Sequence, residues 1–262
     1  MKLNNILVVY TSPSTKEQKS TLKLIKKILE KYEIKFSLVN RDRLNKKQFL
    51  KKDLIVALGG DGTFLRAAQF VDNQLLFGVN SDPNNKEGFF MKANKNNFEK
   101  ILKKILNDKC KIKKLSRLGA YINNKKIDTF ALNEFFIGPR KSYHAAKYII
   151  QINKKKERQK SSGILVTTPT GSYAWAKSCC NKTLPLNSKN YQFVVREPYE
   201  GNIFKNYKLK YGVLERKQKI NIVSEMLGGI LVADSVSKEY GFKNGGKAII
   251  KLSNNYLNVI WL

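Results

Sequence analysis

The first hundred residues alternate between short, uniformly apolar runs and longer stretches with helical spacing. "LNNILVVY" (3–10) reads as a strand, and "SPSTKEQ" follows with Ser12 or Ser14 as a helix cap. In "STLKLIKKILEKY" the apolar positions Leu22, Ile25, Ile28 and Leu29 fall on one helical face. "IKFSLV" alternates as a second strand. "DLIVALG" and "QLLFGVN" are continuously apolar, the composition of strands covered on both faces of a parallel sheet. "TFLRAAQFV" and "NNFEKILKKIL" read as helices. Residues 1–108 therefore predict a doubly wound α/β domain.

The pattern changes after residue 110. "KIKKLSRLGAYI", "KKIDTFALNEFFIG", "AKYIIQIN", "GILVTTP", "YQFVVRE", "QKINIVS", "GGILVAD" and "KAIIKLS" read as strands between Asn-, Gly- and Lys-rich turns, with one helix at "GSYAWAKSCC". Residues 109–262 predict a mainly β domain of the sandwich type, with the last segment free to pack back on the first domain. The fold class is α/β plus all-β, and a site in the cleft between the two domains is expected.

Charge changes this picture little. The net charge is +30, and such a field attracts anions. Yet of 50 Lys and Arg residues only 8 are Arg, whereas base readout favours the planar guanidinium fork. The lysines recur along helices, as on solvated faces, so nucleotides rather than a specific nucleic acid are the expected partners. No apolar run nears the roughly 18 residues of a membrane span, and "MKLNNILVVYT" reads as a strand without a cleavage site. A cytoplasmic protein is expected. Cys110, Cys179 and Cys180 make neither a disulfide framework nor a zinc site, and His144 is the only histidine. A histidine-based triad is thus excluded. Chemistry falls to carboxylates, hydroxyls, backbone donors and an external cation.

Three segments carry candidate chemistry. "LGGDGTFL" (58–65) follows a buried strand, and Gly59, Gly60 and Gly62 let backbone N–H groups approach a phosphate. Asp61 places a negative charge in the same loop, so a metal ion masks it, it caps the helix, or it serves on a substrate. The spacing of a P-loop or of a dinucleotide fingerprint is absent. "ALNEFFIG" sets Asn133 and Glu134 among apolar residues, where buried polar groups need partners. Taken alone this is a structural pair. "GILVTTPTGSYAWAKS" runs from strand through a Pro169–Gly171 turn into a helix whose free N–H groups and hydroxyls suit an anion or ribose. Taken alone it is a capped helix with buried aromatics.

In this order the three segments resemble NAD kinases over nearly the whole chain. "GVNSDPNNKEGFF", "RQKSSGILV" and "REPYEGNIF" look most like the mitochondrial-type branch. Lipid and sphingoid-base kinases share the glycine–acid loop but not these segments, and a non-catalytic nucleotide- or nucleic-acid-binding protein is the other alternative. The resemblance implies phosphoryl transfer from ATP, with Mg²⁺ or another divalent cation, to the 2′-hydroxyl of the adenosine ribose of NAD. It makes Asp61 the general base. Gly60, Gly62, Thr63, Phe64 and Arg66 become nucleotide-binding positions around the loop. Asn133 and Glu134 become ligands of NAD hydroxyls and adenine, and Thr170, Tyr173, Ala174, Trp175 and Ser178 line the NAD site. Ser162 stands where the common bacterial pattern has an aspartate holding the nicotinamide end. Asp234–Ser235 replaces the family's Asp-Gly, with Asp234 structural or metal-linked. A homo-oligomer, a dimer through the β half, is also implied; no metal ligand is assigned.

Overall fold

The computed structural model describes residues 3–236 and 238–262. The chain forms two compact units, one comprising the chain up to Lys114 together with Leu257–Leu262, the other Leu115–Tyr256.

The first unit runs β1 (Asn5–Tyr10), α1 (Lys16–Lys31), β2 (Lys35–Asn40), β3 (Leu54–Gly59), α2 (Asp61–Ala68), β4 (Leu75–Asn80), β5 (Met91–Asn94), α3 (Phe98–Leu106) and β6 (Lys111–Leu115). Every residue of β3 and β4 is buried, as their uninterrupted apolar runs require. The strands order as β2-β1-β3-β4, all parallel. The chain therefore moves outward from β1 in one direction to β2 and in the other to β3. That reversal is the switch point where open parallel sheets bind ligands, beyond the carboxyl ends of the strands. α1 starts one residue after Thr15, whose side chain accepts the Gln18 N–H; neither Ser12 nor Ser14 is the cap.

The second unit is β throughout apart from one short helix. It runs β7 (Leu118–Ile122), β8 (Lys125–Ala131), β9 (Glu134–Pro139), β10 (Ala146–Ile152), β11 (Lys155–Ser161), β12 (Gly163–Thr167), α4 (Trp175–Cys180), β13 (Tyr191–Arg196), β14 (Tyr211–Leu214), β15 (Ile220–Ser224), β16 (Gly229–Ala233), β17 (Tyr240–Gly241) and β18 (Lys247–Leu252). Two six-stranded sheets result, ordered β11-β10-β15-β18-β7-β8 and β14-β13-β12-β9-β16-β17. Alternate residues of both, including Tyr148, Ile150, Ile222 and Ile250 from one and Phe135, Ile137, Val166 and Phe193 from the other, share a single core. The chain closes with β19 (Leu257–Trp261), which lies between β4 and β6 in the first sheet. Among the described residues no helix is long and apolar enough to cross a membrane.

Candidate active site

In the first unit, four loops emerge at the carboxyl ends of β1 to β4. They carry Thr11–Ser14, Arg41, Gly60–Gly62 and Ser81–Lys86. A cavity of about 430 Å³ is lined by residues of all four, including Ser12, Arg41, Gly60, Asp61, Gly62 and Lys86. Two cations face it. Arg41 Nη1 donates to Thr63 Oγ1 at 3.2 Å, while its buried Nε has no hydrogen-bond partner and pairs with Asp42 Oδ1 at 3.9 Å. Lys86 Nζ donates to Ser81 Oγ at 3.2 Å. Burial, and then the Arg41 charge, push the Lys86 ammonium below its ordinary range. Two like charges beside the free N–H groups of a helix start are a cradle for an anion. Asp82 anchors this wall by accepting from Thr15 Oγ1 (3.0 Å) and Asn85 Nδ2 (3.0 Å).

Asp61 is the first residue of α2, and Gly60, not Asp61, holds the capping position. Its carboxylate is turned to the main chain of a distant loop. Oδ2 accepts the Phe89 N–H at 3.0 Å and Oδ1 the Phe90 N–H at 2.9 Å. One lone pair per oxygen remains for a ligand. Of the other loop positions, Gly60 and Gly62 line the cavity. Thr63 lies beneath it, Phe64 is core and stacks on Phe90 at 4.7 Å, and Arg66 pairs with Asp42 at 3.5 Å. Sequence reading missed Arg41 and Lys86. The signal that finds them is positional: each directly follows, or lies within six residues of, the end of a parallel strand.

In the second unit, Asn133 closes the break between β8 and β9, and Glu134 opens β9. Both are buried, with 7 % and 4 % of their surface exposed. Asn133 Oδ1 and Glu134 Oε2 have no hydrogen-bond partner. Unsatisfied buried oxygens are costly, so each is a place for a polar group from outside the chain. Burial, reinforced by the charge of Asp234, pushes Glu134 up to about 8. Asp234 is itself raised by burial, but three main-chain N–H donors and Arg117 act against that rise. Asp234 therefore ionises first and holds the proton on Glu134.

The turn after β12 supports the same segment. Thr168 Oγ1 and Thr170 Oγ1 donate to Leu132 O at 2.5 and 2.7 Å, so the Thr170 hydroxyl is spent on the scaffold. Trp175 stacks on Phe136 (5.4 Å, 27°), and the Arg196 guanidinium lies 4.6 Å from the indole centroid. The Arg196 Nε is buried without a partner. The indole is thus held by its own chain before any base arrives. Tyr173 and Ser178 are exposed and Ala174 is half-buried, all on the turn and helix that follow. Ser162 is half-buried, and its N–H donates to Arg196 O at 3.0 Å.

Comparison with known proteins bears on both units. Residues 3–110 match the ATP-NAD kinase N-terminal domain. A rice (Oryza sativa subsp. japonica) protein described as a probable NADH kinase is 26 % identical over 96 % of this chain and 83 % of its own. The NAD kinase of Aquifex aeolicus is 26 % identical over 92 % and 88 %. Residues 3–110 thus carry the ATP-NAD kinase N-terminal domain, and nearly the whole chain is similar to proteins described as NAD kinase or NADH kinase. The fold agrees. An Archaeoglobus fulgidus NAD kinase crystallised with ATP superposes with TM-score 0.80 at 23 % identity, covering 98 % of this chain and 93 % of that one. Yeast NADH kinase crystallised with NADH gives 0.82 at 16 %, covering 99 % and 84 %.

The buried pair gives a pH prediction. Both carboxyls have raised folded values, so between about pH 4, where they titrate when unfolded, and about 8 the folded state binds more protons. Their contribution to stability is complete below that window and is lost as pH rises through it. Replacing the acid removes the Glu134 share. The Tm of wild type relative to Glu134→Gln is expected to fall between pH 6 and pH 9; a difference independent of pH would refute the buried proton.

Proposed function

We propose that the protein transfers the γ-phosphoryl group of ATP to the 2′-hydroxyl of the adenosine ribose of NAD or NADH. The observation that carries this reading is the pair of buried, unpartnered oxygens on Asn133 and Glu134. They are aligned by the main chain, apolar residues flank them, and hydroxyl or amino donors of a nucleoside would satisfy them. Relatives described as NAD kinase and NADH kinase supply the substrate class.

On this reading the cradle at Gly60–Gly62, Arg41 and Lys86 takes the donor phosphates. Its N–H groups and two cations neutralise charge that grows on the phosphoryl oxygens during transfer. Asp61, with its orientation fixed by Phe89 and Phe90, accepts the proton of the attacking hydroxyl. Among the described residues no group of three His, Cys, Asp or Glu side chains gathers to cage a metal. A divalent cation brought in with the nucleotide would lie beside the Asp61 carboxylate and the cradle. When bound, such an ion supplies further charge neutralisation.

The test is a coupled assay. Purified protein with ATP and Mg²⁺ is given NAD or NADH, and the 2′-phosphorylated product is read with an NADP-specific dehydrogenase. Polyphosphate replaces ATP in a parallel arm. Absence of product with every donor and acceptor would overturn the assignment. Within it, Arg41→Ala is expected to raise the KM for ATP by about 10–100-fold, the scale of a charge-assisted hydrogen bond of about 1.5–3 kcal/mol. The KM for the dinucleotide should stay near wild type. Equal changes in both constants would remove Arg41 from the donor site.

A further inference from the structure

Leu132 and Asn133 lie between the end of β8 and the start of β9, and Glu134 is the first residue of β9. At such a break the main chain loses its ladder partners and must find others. One side chain supplies most of them. Asp234 Oδ2 accepts the Leu132 N–H at 2.9 Å, and Oδ1 accepts those of Asn133 (2.7 Å) and Glu134 (3.2 Å). The Asp234 N–H donates to Glu134 O at 2.9 Å. From the other side Thr168 and Thr170 hold Leu132 O, and the Thr168 N–H donates to Asn133 O at 2.8 Å. Every main-chain polar group from Leu132 to Glu134 is thereby engaged. The oxygens of the segment left without partners, Asn133 Oδ1 and Glu134 Oε2, belong to its side chains.

Asp234 reaches this place through an unusual backbone. Both Asp234 and Ser235 have φ of 53°, in the left-handed region that non-glycine residues seldom occupy. Asp234 is 3 % exposed, with its carboxylate turned toward the strand break. A disfavoured conformation at two successive residues, closed by three N–H···O bonds to one segment, is the arrangement expected of a group that sets that segment's geometry.

We propose that Asp234 is a positioning residue for dinucleotide binding, fixing the direction of the Asn133 and Glu134 side chains without touching the substrate. This rests on the reading of the preceding subsection. Asp234→Asn keeps the size of the side chain but turns one oxygen into an amide nitrogen that faces an N–H donor. The expected result is a rise of at least about tenfold in the KM for NAD, an unchanged KM for ATP and a smaller effect on kcat. Amide hydrogen exchange across residues 132–134 should speed up in the same variant. If wild type forms no NADP while Asp234→Asn still accelerates that exchange, the clamp stands and the function assignment falls. A folded Asp234→Asn protein with unchanged exchange and unchanged KM for NAD overturns the proposal, as does an equal rise in both Michaelis constants. Should Asp234→Asn fail to fold, Asp234→Glu, which keeps both acceptors but displaces them by a methylene, is read by the same two constants.

Discussion

Asp61→Asn is expected to lower kcat by about 10²–10⁴-fold, the span that a positioned general base contributes. The geometry separates two ways in which the substitution acts. As a base, the carboxylate gives up its free lone pair to the proton of the accepting hydroxyl, and asparagine has no comparable basicity. As a scaffold, it holds the Phe89 and Phe90 N–H groups, one on each oxygen. Asparagine keeps one of these bonds and sets an NH₂ against the other donor, at a cost of about 1–3 kcal/mol for an unsatisfied buried group. The scaffold role alone predicts a lower Tm with near-normal turnover of the folded fraction. The base role predicts that turnover is lost even where the protein is fully folded. Measuring kcat, the KM for each substrate and the melting curve of one variant resolves the two. A folded Asp61→Asn protein with near-wild-type kcat would remove the acid from the chemistry.

The negative charge in the glycine loop, which the resemblance explains only by a role on the substrate, also has a local reason in the structure. Its partners are backbone N–H groups 28 and 29 residues away, and no side-chain identity advertises a backbone donor. The same holds for Asp234 and Asn133, 101 residues apart. What was legible followed from burial. Strands covered on both faces, such as "LIVALG" and "LLFGVN", show as unbroken apolar runs and were placed within a residue of their observed ends. Strand β11, "KKERQKS", was missed because it is an edge strand paired only with β10, so most of its side chains are polar and solvated. Four-residue strands such as β5 and β14 are too short for a period to register. The apolar Asn133–Glu134 segment read as one strand with its flanks. The structure interrupts it at Leu132 and Asn133, and Glu134 opens the next strand. Trp175 was identified by type, but its stacking on Phe136 and Arg196 depends on strands that only the folded sheet brings together.

The second large effect is expected at Gly171. Its main chain passes so close to Asn133 that an added Cβ would lie inside contact distance of the Asn133 carbonyl and 2.8 Å from its Cα. These are backbone atoms, held by the Thr168 N–H on Asn133 O and by Asp234 on the Asn133 N–H. No flexible side chain can yield. Gly171→Ala must therefore separate the Thr-Pro-Thr-Gly-Ser turn from the Asn133–Glu134 break. Overpacking of this kind costs about 1–3 kcal/mol, and more where the obstacle is rigid. For a chain of this size that lowers Tm by several degrees, at about 2–4 °C per kcal/mol. The displaced Asn133 should also raise the KM for the dinucleotide by at least about tenfold, with the KM for ATP spared. Gly228→Ala is the control, because a Cβ there meets nothing within 4 Å, and its stability should stay within about 0.5 kcal/mol of wild type. Both variants are to be compared by calorimetry and by initial rates with each substrate varied. A Gly171→Ala protein that matches Gly228→Ala in Tm and in both Michaelis constants would show that the turn and the strand break move independently, and the contact could then not be what aligns Asn133 and Glu134 for the dinucleotide.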